Sequence, residues 1–393
     1  MRYSLIGLLF PLFWSLTPGL CAAQKRLSPQ AQISVLTCAP GQALYSTFGH
    51  TAIRIYDPLT ADDRVYNYGI FDFDTPGFYL KFIRGQLPYQ LGAQKMSRFM
   101  REYRYYRRAV QEHRLQLDPA EKQAISDFLI HNYRPENREY QYDFFYDNCA
   151  SRVVDVIDTV LAGRINWSSI PPAQVSFRHL LDPYLQHRAW DDFGIDLILG
   201  LESDRIASFR QQMFLPDYIP QNFTQLSVDR DSLQSPVWSE EQILLDFPRE
   251  AIATPWWQHP LLVFGLLALF AIASGLVLPR SHRLQKLDYF WFGASGLAGL
   301  LFVFMWFATD HEVCHRNLNL LWANPLWLLL LPVLGGRLAK NWERGLLYFN
   351  LALLLPVLLA LPWLPQELPY PVWLIALLLF FRGIFRLRPN VRA

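Results

Sequence analysis

The stretch "FFYDNCASR" puts Cys149 directly behind Asp147 and Asn148, two residue types that cap helices well. The cysteine therefore falls in the first turn of a predicted helix, where unpaired backbone amides and the helix dipole favour an anion. A thiol there is expected to have a lowered pKa and to act as a thiolate nucleophile. Such a nucleophile needs a base to take its proton and a third group to orient that base. Of the nine histidines, His50 in "TFGHTAIRI" fits best, because Gly49 lets the backbone approach closely and the strand that follows fixes the ring's direction. Asn67 in "YNYG" is the first choice for the third group and Asp72 the second. Amides at the start of the Cys149 helix, with Asn148 in support, are the candidate oxyanion donors, and Tyr45 is a weaker one. The bland alternatives are a packing cysteine and a structural histidine.

The elements that must position these groups are readable in outline. Strands are expected at 33–37, 51–56 and 64–70, the last two joined by the polar turn "DPLTADD". His50 then starts a strand rather than sitting within its apolar face. A helix or extended arm is expected at 96–107. "LQLDPAEKQAISDFLIHNY" is a clear helix, with Asp118 as cap and Pro119 in the first turn. Residues 147–162 form an amphipathic helix with Val153, Val156, Ile157, Val160 and Leu161 as its apolar stripe and Gly163 as its stop. More helix is expected over 164–215, and a proline-containing polar connection over 216–258.

The 393 residues are 52% hydrophobic and 15% aromatic with a net charge of +2, but the halves differ. Residues 24–255 read as a globular extracytoplasmic domain, and 256–393 as a membrane domain of apolar runs and short polar loops. Residues 1–23 carry an early Arg2, an apolar core and a small-residue end near Ala23, the pattern of a secretory signal peptide. Five apolar stretches follow, at roughly 260–278, 288–308, 319–334, 345–363 and 371–386, to be compared with a hydrocarbon core of about 30 Å. Basic residues concentrate in the loops after the first and third stretches and in the tail. All three basic segments share one side only if all five stretches span, and that side is then cytoplasmic. Residues 24–259 and the loop "HEVCH" come out together on the outer face, in a periplasm-like space, with the C-terminus in the cytoplasm. Removal of the signal leaves Cys38, Cys149 and Cys314, an odd number, so at least one thiol is free. A Cys38–Cys314 bridge is conceivable.

His311 and His315 in "HEVCH" are spaced as zinc ligands can be, but no third ligand is evident. No metal and no cofactor are expected; the loop is read instead as a substrate mouth at the bilayer surface, with His311 and Asn317 as its residues and Asn319 in support. The aromatic and basic residues of "FYLKFIRGQLPYQLG" are candidates for the headgroup level. The near-neutral charge offers no basic stripe, so nucleic acid is not an expected partner.

A histidine on a strand followed by a cysteine at a helix start resembles the circularly permuted papain-like fold of the lecithin:retinol acyltransferase and NlpC groups. A closer resemblance lies in "TCAPGQALYSTFGHTAIRIYD", "VYNYGIFDFDTPGFYLKFIRGQLPYQL", "ENREYQYDFFYDNCASRVVDVID" and "ATDHEVCHRNLNLLWANPL", which look like the Lnb-type lipoprotein transacylase family. That resemblance implies an α+β thiol domain followed by five membrane helices. It also implies transfer of an acyl chain from a diacylglyceryl lipoprotein onto the amine of the lipoprotein's N-terminal cysteine. Cys149 would carry the chain as a thioester, His50 would be the base, and the partners would be a lipid-linked substrate and the bilayer. The competing readings are a papain-like cell-wall amidase or peptidase, which needs no membrane domain, and a non-catalytic membrane-assembly module.

Overall fold

Alternating apolar and polar residues in "QISVLTC" and "HTAIRIYD" make the two central strands of the N-terminal domain. The computed structural model describes residues 26–167, 174–230, 233–249, 253–277, 282–334 and 340–388. The signal peptide expected at 1–23 and parts of the basic segments, at 278–281, 335–339 and 389–393, lie outside the described residues. An antiparallel sheet of seven strands runs in the order β6 (Glu139–Gln141), β4 (Pro88–Lys95), β3 (Asp62–Ile70), β2 (His50–Asp57), β1 (Gln32–Cys38), β5 (Val110–Leu115), β9 (Trp238–Leu245). A separate hairpin joins β7 (Ser227–Arg230) to β8 (Leu233–Pro236).

Helices α1 (Phe78–Ile83), α2 (Met96–Tyr105), α3 (Pro119–Asn132) and α4 (Cys149–Val160) are interleaved with the strands. They are followed by α5 (Phe177–Leu185), α6 (Ala189–Ile198), α7 (Phe209–Gln212) and α8 (Tyr218–Phe223). One sheet face packs Ile33, Val35, Ile53 and Ile55 against Ile125 and Leu129 of α3 and Val153 and Ile157 of α4. The other packs Leu36, Ala52 and Val65 against Met96, Phe99 and Tyr103 of α2. Each such aliphatic side chain contributes about 1.5–3 kcal/mol of burial. The domain is thus mixed α and β, and the strands expected at 33–37, 51–56 and 64–70 are present, each slightly longer. The segment 96–107 resolves as a helix. Asp118 caps α3 in a reciprocal pair with Glu121, and Gly163 after α4 takes a φ of 72°.

The stretch 216–258 is more than a connection: it holds α8, the hairpin and β9, which completes the sheet beside β5. Most of β9 is exposed, and Glu240 pairs with Arg114 at 2.6 Å. A charged edge strand lacks the alternating pattern of a half-buried one, which is why its sequence reads as loop.

The C-terminal part is helical: α9 (Pro260–Val277), α10 (His282–Phe307), α11 (Leu330–Leu334), α12 (Lys340–Ala360) and α13 (Pro371–Leu387). Among the described residues, three segments have the length and composition to cross a membrane, namely Pro260–Val277, Gln285–Phe307 and Trp342–Trp363. The third apolar stretch, 319–334, is not one helix. It is broken into two 3-10 turns and the short α11, with Asn324 capping the turn that Pro325 opens. The fifth is a single helix of 17 residues. Gly275 lets α9 and α13 meet, since a Cβ there would fall 2.0 Å from the Phe385 ring. Arg382 of α13 donates to Asp288 of α10 at 2.7 Å, both buried.

Among the described residues, the N-terminal domain is bonded to the chain at three places around the membrane helices. The Thr254 amide donates to His187 O just before α9; the amide of Gly200 donates to Val313 O beyond α10; and Gln366, between α12 and α13, donates to Leu199 O at 2.9 Å. Behind this junction Arg178, buried, pairs with Asp196 at 2.7 Å and Asp204 at 2.9 Å and donates to Ser203. Removing the cation leaves carboxylates buried without a counter-charge, so Arg178→Met should cost about 3–5 kcal/mol. Thermal unfolding in detergent should show a marked fall in midpoint; an unchanged midpoint would refute this account of the junction.

Candidate active site

Cys149 is the first residue of α4, and the reason is Asn148. The Asn148 Oδ1 accepts from the amides of Ala150 at 2.8 Å and Ser151 at 2.9 Å, and Ser151 Oγ accepts from the Asn148 amide. Its Nδ2 donates to Phe144 O and Phe214 O, both at 2.8 Å. With both ends of its amide so engaged, Asn148 supports the helix start and has no donor free for an oxyanion. Asp147 is held by Arg152 at 2.7 Å, and that guanidinium lies 3.7 Å above the Tyr140 ring.

Helix α4 delivers the thiol to the end of the sheet where β2 begins and β3 ends. Gly69, just past Asn67, has a φ of 86°, and a Cβ on it would lie 3.5 Å from the Cys149 Cβ. The register of β3 on β4 shifts between Asn67 and Ile70, so the "YNYG" segment bulges at the place where the thiol arrives. Gly49 has a φ of 82°, and a Cβ there would come 2.9 Å from Cys38 O. That turn starts β2 at His50, opposite Cys38. The backbone amides of Thr51, Cys149 and Ala150 all bear on the Cys149 sulfur. Since Thr51 adjoins His50, the fold brings the beginning of β2 to the thiol.

His50 Nε2 lies 3.2 Å from Asn67 Oδ1. The amide oxygen accepts, so Nε2 carries the proton and Nδ1 keeps a lone pair. Asn67 is buried, and its Nδ2 has no partner. Burial lowers the His50 pKa to about 4, with Asn67 opposing the shift. The imidazole is therefore neutral and able to accept a proton across the physiological range. Burial likewise raises the Cys149 pKa, outweighing the three amides and the nearby Arg108 charge. This corrects the expectation of a lowered thiol pKa: the helix start is present, but desolvation is the larger effect. At rest the Cys149 thiol and the His50 imidazole are both neutral.

The three described cysteines are free. Cys38 and Cys314 are buried and pushed up to about 12 by that burial, whereas Cys149 retains partial exposure. The Cys38–Cys314 bridge is not formed. Asp72 accepts from the amide of Asp74 and so caps its own turn; Tyr45 is exposed.

The "HEVCH" loop docks the two parts of the chain. His311 Nε2 lies 3.2 Å from Phe82 O, and the Asp310 amide donates to Arg84 O at 2.9 Å. His315 faces Thr309 O rather than sharing a centre with His311. Asn317 is buried, donates to Leu197 O at 2.8 Å and accepts from the amides of Asn319 and Gln366. It is a hinge pin of the junction and not the lining of an open mouth, because its polar atoms are turned inward. The residues that sequence reasoning passed over are Thr51, through its amide, and Gly69. The glycine in "YNYG" was the available sign of a bulge; a main-chain donor such as Thr51 leaves no sign in residue type.

An α+β domain that gathers a cysteine and a histidine at its junction with a bundle of apolar helices defines a membrane protein with a thiol-bearing periplasmic-type domain. Two family models match the chain, the Lnb N-terminal periplasmic domain over residues 22–182 and the Lnb transmembrane domain over residues 252–392. The chain belongs to the Lnb-type family, as a membrane protein with a periplasmic N-terminal domain. Comparison with curated proteins and with solved structures gave no match.

Because the thiol is protonated at rest, alkylation of Cys149 by iodoacetamide should be slow at pH 7 and should climb as pH passes 9.0, the ordinary thiol value. A rate already level by pH 8 would contradict the raised pKa.

Proposed function

We propose that the chain is a cysteine-dependent acyltransferase of the outer face of the inner membrane, acting on diacylglyceryl-modified lipoproteins. The observation that carries this reading is the placement of Cys149 at the start of α4, against Gly69 at the sheet end where β2 begins with His50, whose Nε2 lies 3.2 Å from Asn67 Oδ1. The family membership supplies the substrate class.

In the first half-reaction Nδ1 of His50 takes the thiol proton as Sγ of Cys149 attacks the ester carbonyl of the glyceryl moiety. A C–S bond forms, and the carbonyl electrons move onto oxygen, where the amides at the start of α4 and that of Thr51 would stabilise them. Collapse breaks the ester C–O bond, and the imidazolium returns its proton to the leaving glyceryl oxygen. In the second half-reaction the free amine of the lipoprotein's N-terminal cysteine attacks the thioester. The C–N bond forms, the C–S bond breaks, and His50 carries the amine proton back to sulfur. The product is a lyso-form lipoprotein with an N-terminal amide. A neutral imidazole suits both steps, since each begins with removal of a proton.

The order histidine strand, asparagine strand, cysteine helix supports a permuted papain-like arrangement for the domain. Contacts just before α9, beyond α10 and between α12 and α13 with the N-terminal domain support five crossings, with the 319–334 stretch returning the chain to the cytoplasmic side and the C-terminus cytoplasmic. The broken third stretch is tolerated where neighbouring helices cover its backbone.

In a host whose own lipoprotein N-acylation is deleted, the wild-type chain should give lyso-form lipoproteins by mass spectrometry, and Cys149→Ala should give none. An unchanged product from Cys149→Ala would end the proposal. His50→Ala should slow formation of the Cys149 thioester by about 10²–10⁴-fold, the usual worth of a general base. Asn67→Ala should give a smaller loss, with a shifted acid limb in the pH profile, because it orients the base without meeting the substrate.

A further inference from the structure

Helix α1 has no buried residue. Tyr79, Leu80, Phe82 and Ile83 on it are exposed, as is Phe73 just before it, at 71%. Isolated apolar side chains on a surface are ordinary, but a contiguous patch of this kind marks a contact with another apolar phase.

Two observations say which phase. The first is position. Helix α1 follows β3, which ends where β2 begins, so it lies at the same end of the sheet as His50 and Cys149. Its C-terminal end is fastened to the loop that caps α10: the Asp310 amide donates to Arg84 O, His311 reaches Phe82 O, and Gly85 has a φ of 69° with no room for a Cβ beside His311. Phe307, at the end of the membrane-crossing stretch of α10, is itself 71% exposed and only a few residues from that fastening. Helix α1 is thereby tied to the loop that leaves a candidate membrane span, and Lys81 and Arg84 stand among its apolar residues as basic residues do at lipid headgroups.

The second observation is a row of rings leading inward. Phe82 stacks on Phe78, Phe78 meets Phe71 at 6.0 Å, Phe71 meets Tyr89 at 5.3 Å, and Tyr89 stacks on Tyr142 at 4.4 Å. Tyr142 precedes Asp143, whose main chain exchanges hydrogen bonds with Asp147 at 3.0 and 3.1 Å, two residues before Cys149. An aromatic surface thus runs from the exposed helix to the segment that delivers the thiol.

We propose that α1 is seated in the outer leaflet of the bilayer and that the aromatic row is the ramp along which a lipid acyl chain leaves the leaflet for Cys149. The seating does not depend on the chemistry of Cys149; the use of the ramp rests on the acyl-transfer reading above. Aromatic and aliphatic groups at the interface gain burial without the cost of dehydrating a charge, and the two cations can remain among phosphates.

The test uses the full chain in lipid nanodiscs, with Cys21→Ala and Cys149→Ala so that a single reactive thiol can be introduced; Cys38 and Cys314 are buried. Leu80→Cys carries an environment-sensitive NBD label, and Leu59→Cys provides the control. Leu59 is 69% exposed in the turn between β2 and β3, at the opposite end of the sheet. The label at 80 should emit to the blue, be quenched by lipids with a nitroxide high on the acyl chain, and resist aqueous iodide several-fold better than the label at 59. Equal iodide quenching at the two positions would overturn the seating. So would protection from iodide without nitroxide quenching, which would mean that protein covers the helix. Phe73→Cys gives the same reading should the label at 80 disturb folding. Because the catalytic thiol is absent throughout, failure here is distinct from failure of the acyl-transfer proposal. The ramp is read separately in the active chain: Phe71→Ser should reduce thioester formation with a long-chain ester several-fold while leaving iodoacetamide alkylation unchanged. Equal loss on both reagents would overturn it.

Discussion

The position of residue 148 is the constraint on which the rest of the site depends. Asn148 spends its side-chain oxygen on two amides of α4 and its nitrogen on two carbonyls, one from the chain just before the helix and one from Phe214. Phe144 and Phe214 belong to a core of aromatic side chains that also contains Phe145, Phe177 and Val313, the last from the membrane-proximal loop. The helix behind residue 148 belongs to a different core, the one beneath the sheet. One buried amide therefore fixes the helix start relative to both cores at once. Any substituent that lost one of these hydrogen bonds would leave a buried polar group unpaired, at a cost of about 1–3 kcal/mol, and would release the cysteine from its place.

With the backbone fixed, the electrostatics follow from a contest between solvent exclusion and local donors. Three amides favour the Cys149 thiolate and lose to burial; Asn67 favours the charged form of His50 and also loses. An ion pair at rest would need both shifts to run the other way. Under the acyl transfer proposed above, a neutral pair would let an apolar acyl chain approach without displacing the hydration shell of a standing charge. Charge then develops only as the carbonyl is attacked, where oriented amides are worth most.

Much of this was open to sequence reading, for identifiable reasons. Periodicity revealed β1, β2 and β3 because each buries one face, and the cap residues Asp118 and Asn148 announced α3 and α4. The cysteine at a helix start and the histidine at a strand start were legible from residue types alone. What stayed hidden was set by tertiary packing. The edge strand β9 is charged and mostly exposed, so its pattern is that of a loop. Asn317 carries the same letters whether it lines a mouth or pins a junction; only its inward hydrogen bonds decide. The direction of the Cys149 shift depended on how much solvent the surrounding tyrosines and strands exclude, a quantity that no local motif contains.

The junction explains why a thiol domain and a helical bundle belong to one chain. Tethering alone would need only one connection, yet the contacts come from three separate segments, and buried Asn317, Asn319 and Gln366 are joined to one another and to the carbonyls of residues 197–199. Gly200 sits so close to His315 that a Cβ would fall 1.9 Å from its carbonyl oxygen. Such close, fully polar-satisfied packing resists the relative rotation that a flexible linker would allow. The sheet end that carries Cys149 is thereby held at a set height and angle above the spans. Were the substrate the leaflet-confined ester proposed above, a fixed orientation would replace a search in three dimensions by one along the membrane surface, and part of the entropy of bringing thiol and ester together would already be lost in the folded state.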